Sequence, residues 1–168
     1  LRRNGPSRLC YTGTVLYTKP RYPLASRSPI QIGVELYGES GLDADIEVIS
    51  LMVETLRLAG LEKPQLDLGH VGIYGNLLED AGLTKDQEST LFDLLQRKSI
   101  PELDTWIADN IEDSASATMI RALVDLSGDE SVLDRARELF AEAPAEVELA
   151  LDELQAVVDG TGGIRRTV

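Results

Sequence analysis

Apolar and polar positions alternate with a period of two at the start of the chain and with a period near 3.6 after it. Arg8 to Thr18 is rich in Tyr, Thr and Val and reads as a strand. A loop bearing Pro20, Pro23, Ser26, Ser28 and Pro29 follows. Ile30 to Tyr37 reads as a second strand, bounded by Pro29 and Gly38. Two strands joined by such a loop are most simply antiparallel neighbours. After Gly41 the period lengthens: Ile46, Ile49, Val53 and Leu56 share one helical stripe with Met52 beside it, and Gly60 suits the residue just past the helix end. Asp43, Asp45 and Glu47 lie in or near the first turn, where the helix dipole favours anions. Gln65 to Tyr74 reads as a third strand, ending in a turn at Gly75-Asn76.

From Thr84 onward the pattern is helical. Thr84-Lys85-Asp86-Gln87 and Ser99-Ile100-Pro101-Glu102 both have the form of a capping box, in which the first side chain and the fourth satisfy each other's backbone N–H. Leu91, Phe92, Leu94 and Leu95 supply an apolar face between them. Met119, Ile120, Leu123 and Val124 mark a helix stopped at Gly128, and Leu133, Ala136, Leu139 and Phe140 mark the next. Pro144 opens a last helix carrying Val147, Ala150, Leu151, Leu154 and Val158, stopped at Gly160. The expected fold is α+β: an antiparallel sheet portion over residues 1–80, a helical subdomain over 81–160 and a tail over 161–168.

Charge changes the picture more than overall composition does. The chain has 168 residues and a formal net charge of -13, yet its first 34 residues carry six bases (Arg2, Arg3, Arg8, Lys19, Arg21 and Arg27) and no acid. All 29 acids lie beyond them. Nucleic-acid binding by the bulk of the chain is therefore not expected, since phosphate contacts need cations. The basic end suits an anion, an acidic partner or plain solvation. One cysteine, Cys10, excludes an internal disulfide framework and a cysteine-built zinc site; one histidine, His70, excludes a His-rich site and an HExxH pair. No metal or cofactor is expected. Cys10 reads as a small buried residue and His70 as a hydrogen-bonded structural one. Gly69, Gly72 and Gly75 have a spacing that is not the dinucleotide fingerprint. No stretch approaches the roughly 18 apolar residues of a membrane span, and no signal-peptide pattern is present, so a cytoplasmic protein is expected. The start at Leu1 reads as a piece of something larger.

The second strand holds the most specific chemistry. Ile32, Val34 and Leu36 share one face; Gln31, Gly33, Glu35 and Tyr37 share the other. Gln31 and Glu35 stand about 13 Å apart along an extended strand, and Gly33 leaves bare backbone between them. One reading is a trough with an amide at one end and a carboxylate at the other, fit for a small cationic ligand such as an amino acid's ammonium or an imidazole. The other is a solvent-facing strand with a bulge glycine.

The runs Arg8-Leu9-Cys10-Tyr11-Thr12-Gly13-Thr14-Val15-Leu16 and Ser26-Arg27-Ser28-Pro29-Ile30-Gln31-Ile32-Gly33-Val34-Glu35-Leu36-Tyr37-Gly38 resemble motif 2 of the class II histidyl-tRNA synthetase family, and Asp45-Ile46-Glu47-Val48-Ile49 continues the likeness. Ser26 to Gly38 and Leu66 to Gly75 look particularly like the synthetase-like branch that serves as regulatory subunit of ATP phosphoribosyltransferase in histidine biosynthesis. The resemblance implies part of a class II aminoacyl-tRNA synthetase-like core, in which Gln31 and Glu35 contact histidine. Arg8, Arg27 and Tyr37 are then candidates for the pocket rim or a partner interface. Where active synthetases carry an arginine on the ATP α-phosphate, this chain has Tyr17, which cannot reproduce a bidentate guanidinium grip, so adenylation should be impaired or lost. The implied protein is non-catalytic. Its implied partners are the short-form ATP phosphoribosyltransferase catalytic subunit, as a homodimer within a hetero-octamer, with histidine as effector. Motif 1, motif 3 and the later Tyr-His segment of the family are not recognisable in the sequence. A divergent histidyl-tRNA synthetase and an interaction domain without ligand are the alternatives.

Overall fold

In a computed structural model, residues 5–20, 22–162 and 165–168 are described. They form two compact units that part after Gly60, earlier than the expected boundary at residue 80. Arg2, Arg3 and Arg21 of the basic end lie outside the described residues.

In the first unit, β1 (Ser7–Thr14) pairs antiparallel with β2 (Ile30–Tyr37) in an unbroken register that sets Tyr11 opposite Gly33 and Gly13 opposite Gln31. Backbone pairing runs past the strand ends: Val15 N–H donates to the Pro29 carbonyl (3.0 Å) and Tyr17 N–H to the Arg27 carbonyl (2.8 Å). The strand expected up to Thr18 thus keeps its register almost that far. α1 (Leu42–Leu58) follows, with Ala44 and Val53 buried. Its last turn closes as Gly60 adopts φ 93°, a left-handed conformation that favours glycine, with Gly60 N–H donating to the Arg57 carbonyl. Val48, Leu51, Met52 and Leu56 of α1 face Cys10, Ile32 and Val34 of the strands across an open groove of about 480 Å³. Cys10 is exposed, not buried, because the single helix only partly covers that side of a two-stranded sheet.

The second unit begins with β3 (Gln65–Asp67), which is shorter than the strand expected over Gln65–Tyr74. The chain turns there because His70 caps a helix: its Nδ1 accepts from Gly72 N–H (3.0 Å), and α2 runs over Val71–Asp80. Ile73, Tyr74, Leu77 and Leu78 are the inward stripe of that helix. Residues 61–80 therefore pack with the helices that follow. α3 (Lys85–Arg97), α5 (Ser114–Ala122), α6 (Val132–Leu139) and α7 (Ala145–Gly160) match the four expected apolar stripes, although α5 ends well before Gly128, and α4 (Ile100–Asn110) starts at the second capping-box pattern. Thr84 forms the full capping box with Gln87. Ser99 does not; with ψ near 78° it lacks the extended conformation that aims a capping hydroxyl back at the helix. Leu77, Leu91, Leu103, Ile120, Leu133, Val147, Leu151 and Val158 are the fully buried centre. Within the expected tail, β4 (Arg165–Thr167) pairs parallel with β3, and Val168 exchanges backbone hydrogen bonds with Gly128 in both directions. Among the described residues no helix is long and apolar enough to cross a membrane.

Candidate functional site

Antiparallel register puts directly opposed residues on the same side of the sheet. Gln31, Gly33, Glu35 and Tyr37 of β2 therefore share a face with Gly13, Tyr11, Leu9 and Ser7 of β1. This face is open: Leu9, Tyr11, Gln31, Glu35 and Tyr37 are all exposed. It is not the interior of a packed core, so both ends of the expected trough are reachable from solvent.

Its floor differs from the bare backbone the sequence suggested. The ring of Tyr11 lies across Gly33; a Cβ at that position would stand 2.6 Å from Tyr11 Cε1 and nearer still to Cζ and the hydroxyl. Glycine admits the ring where any side chain would expel it. From there the Tyr11 hydroxyl accepts a hydrogen bond from Gln31 Nε2 (2.8 Å). Gly13, opposite Gln31, leaves that end clear: a Cβ there would meet nothing within 4 Å. At the other end Tyr37 donates its hydroxyl proton to Glu35 Oε2 (2.6 Å), and this bond to a carboxylate holds the phenol above its usual range. Both polar ends of the trough are thus held by tyrosines, of which the sequence singled out only Tyr37. Tyr11 carried a signal, a bulky residue two positions before Gly13, but its meaning depends on a register that the intervening loop does not fix.

Arg8 and Arg27 are not brought to this trough. Arg8 stands opposite Leu36, on the other side of the sheet, and holds Glu47 of α1 through Nε to Oε1 and Nη2 to Oε2 (2.7 Å). The guanidinium keeps the Glu47 carboxyl below its usual range, chiefly by the hydrogen bond. This pair ties α1 to β1. Arg27 directs Nε to the Tyr17 carbonyl (3.2 Å), bracing the loop beyond the strands.

His70 is an architectural residue of the second unit. Nδ1 accepts from Gly72 N–H, so in the neutral ring the proton sits on Nε2, which lies 2.9 Å from Glu153 Oε2 of α7. The ring needs Gly72, since a Cβ there would approach its Cε1 and Nδ1 to 2.9 Å.

The face is therefore a shallow, solvent-open seat with a carboxylate, an amide and a tyrosine floor, suited to a small ligand bearing N–H donors and positive charge. Comparison with known proteins agrees with the fold. The chain is 56% identical over 157 residues to the ATP phosphoribosyltransferase regulatory subunit of Saccharophagus degradans, covering 94% of this chain and 40% of that protein. It is 51% identical to the protein of the same name from Azotobacter vinelandii, covering 96% and 40% respectively. A solved structure, described as an ATP phosphoribosyltransferase regulatory subunit/histidyl-tRNA synthetase from Bacillus halodurans C, superposes with a TM-score of 0.80 at 27% identity, over 95% of this chain and 40% of that one. The chain thus spans about two fifths of the length of these relatives. The family model described as histidyl-tRNA synthetase matches residues 1–168, and the chain belongs to that family.

Proposed function

We propose that this chain is part of a regulatory subunit of ATP phosphoribosyltransferase, acting in the cytoplasm in the first step of histidine biosynthesis. In this reading the subunit does not catalyse. It joins the short-form catalytic subunit as a homodimer within a hetero-octamer, and it binds histidine at Gln31 and Glu35, Glu35 by charge and Gln31 by hydrogen bonding. The names of its relatives support the regulatory role. The observation that carries it is an open amide–carboxylate seat on the hairpin, joined with what the resemblance implies for Tyr17, a tyrosine at the position of the arginine that grips phosphate in an active synthetase. A protein that binds an amino acid and cannot activate it suits a sensor. Feedback then follows from linkage: histidine must bind the inhibited assembly more tightly than the active one.

The test uses the full-length protein assembled with its catalytic subunit. Glu35→Ala should leave phosphoribosyl transfer intact and blunt its inhibition by histidine. Unchanged inhibition would remove Glu35 from the sensor. Histidine-dependent ATP–pyrophosphate exchange by the full-length protein would favour a divergent synthetase in its place.

A further inference from the structure

The seat has two ends that are set by neighbours. An amide side chain offers two N–H donors at one end and an acceptor oxygen at the other, and only the oxygen suits a cationic ligand. Gln31 donates one Nε2 N–H to the Tyr11 hydroxyl, which fixes the amide by its nitrogen end and leaves Oε1 as its acceptor for a ligand. Glu35 is engaged at Oε2 by Tyr37, which leaves Oε1. The result is a pair of acceptor oxygens flanking a tyrosine ring, with clear space over Gly13.

We propose that Tyr11 is a positioning residue for the ammonium group of an amino acid. Its hydroxyl holds the Gln31 amide by the nitrogen so that the carbonyl oxygen faces the seat, and its ring over Gly33 forms the seat's floor. This inference rests on the histidine reading above and adds the residue that gives the seat its preference for a charged amine. The register explains why Tyr11 can do this. It lies opposite Gly33 and diagonal to Gln31, a spacing that an aromatic side chain spans. The ring over an ammonium also adds the attraction of a cation for an aromatic face.

The test is a calorimetric titration of the full-length protein with histidine and with imidazolepropionate, which lacks the α-amino group. The parent should prefer histidine, and Glu35→Gln should weaken histidine binding. Tyr11→Phe keeps the ring and removes the hydroxyl. It should weaken histidine about threefold to tenfold, the worth of one hydrogen bond, while leaving imidazolepropionate nearly unchanged, so the preference narrows. In a Gln31→Ala background the same change should cost nothing further, because Tyr11 acts through Gln31. Equal weakening of both ligands, an equal loss in the Gln31→Ala background, or no loss at all would overturn the role of Tyr11. A parent that does not bind histidine, or binds it regardless of Glu35, would instead overturn the histidine reading and the inference with it.

Discussion

Gly33→Ala isolates the geometry of the seat from the stability of the hairpin. The added methyl would lie 2.6 Å from Tyr11 Cε1, well inside van der Waals contact, so the ring must leave. It can do so by rotating about its own side-chain bonds, because Tyr11 is 45% exposed and the atoms nearest the added methyl belong to its side chain. Gly33 sits in an ordinary strand and does not adopt a left-handed φ, so alanine fits its backbone. Replacing glycine at such a site removes unfolded-state freedom and stabilises by about 0.4–1 kcal/mol. Losing the exposed Gln31–Tyr11 hydrogen bond costs about 0.5–1.5 kcal/mol. The two nearly cancel, so unfolding free energy should move by less than about 1 kcal/mol in either direction. Binding has no such compensation. With the floor gone and Gln31 no longer held, histidine affinity should fall about tenfold, or roughly 1.4 kcal/mol. Urea unfolding followed by circular dichroism reads the first quantity and a histidine titration of the full-length protein reads the second. A loss of stability above about 3 kcal/mol would refute the claim that the ring is free to leave. Unchanged affinity would refute its place in the seat.

Leu103→Ala removes a side chain with no exposed surface at the centre of the helical unit, and should cost about 2–5 kcal/mol in urea unfolding. Thr84→Ala removes the hydroxyl that accepts from Gln87 N–H at the start of α3, leaves the backbone N–H of residue 84 on Gln87 Oε1, and should cost about 1 kcal/mol, whereas Ser99→Ala, whose side chain makes no capping bond, should cost little by the same measurement. His70→Ala should destabilise the α2 start, and His70→Asn, which keeps a capping acceptor, should recover part of the loss in thermal unfolding. Glu47 has a depressed folded-state pKa, so its pairing with Arg8 stabilises fully above the ordinary carboxylate range and is lost as pH falls through the folded value. The stability gap between the parent and Arg8→Gln should therefore be open at neutral pH and close in acid.

Local signals carried most of the architecture. The strand pair was legible from alternation and its proline and glycine boundaries, and α1 from its stripe and Gly60. α3, α5, α6 and α7 were legible because each buries one apolar stripe, while α4 was signalled only by the Ser99–Glu102 pattern, whose capping bond does not form. α2 was not. Val71, Ile73 and Tyr74 favour strands and Gly72 and Gly75 disfavour helices, so local propensity pointed away from the helix that tertiary packing selects. The inward stripe of Ile73, Tyr74, Leu77 and Leu78 was the overlooked sign. β4 was illegible for a different reason: three residues pairing with β3 across most of the chain leave no periodic trace. The seat was half legible. Alternation placed Gln31, Gly33 and Glu35 on one face, but Tyr11 enters only through cross-strand register. Arg8 was a candidate for the pocket rim or a partner interface, and its parity along β1 sends it away from the seat to Glu47 on the other side.

Whether this seat holds a free amino acid is decided most directly by titrating histidine into the full-length protein beside its Glu35→Gln variant, with no nucleotide present. Saturable one-to-one binding in the parent, weakened at least tenfold when the Glu35 charge is removed, is the result expected. Binding of equal strength in both, or in neither, would contradict it.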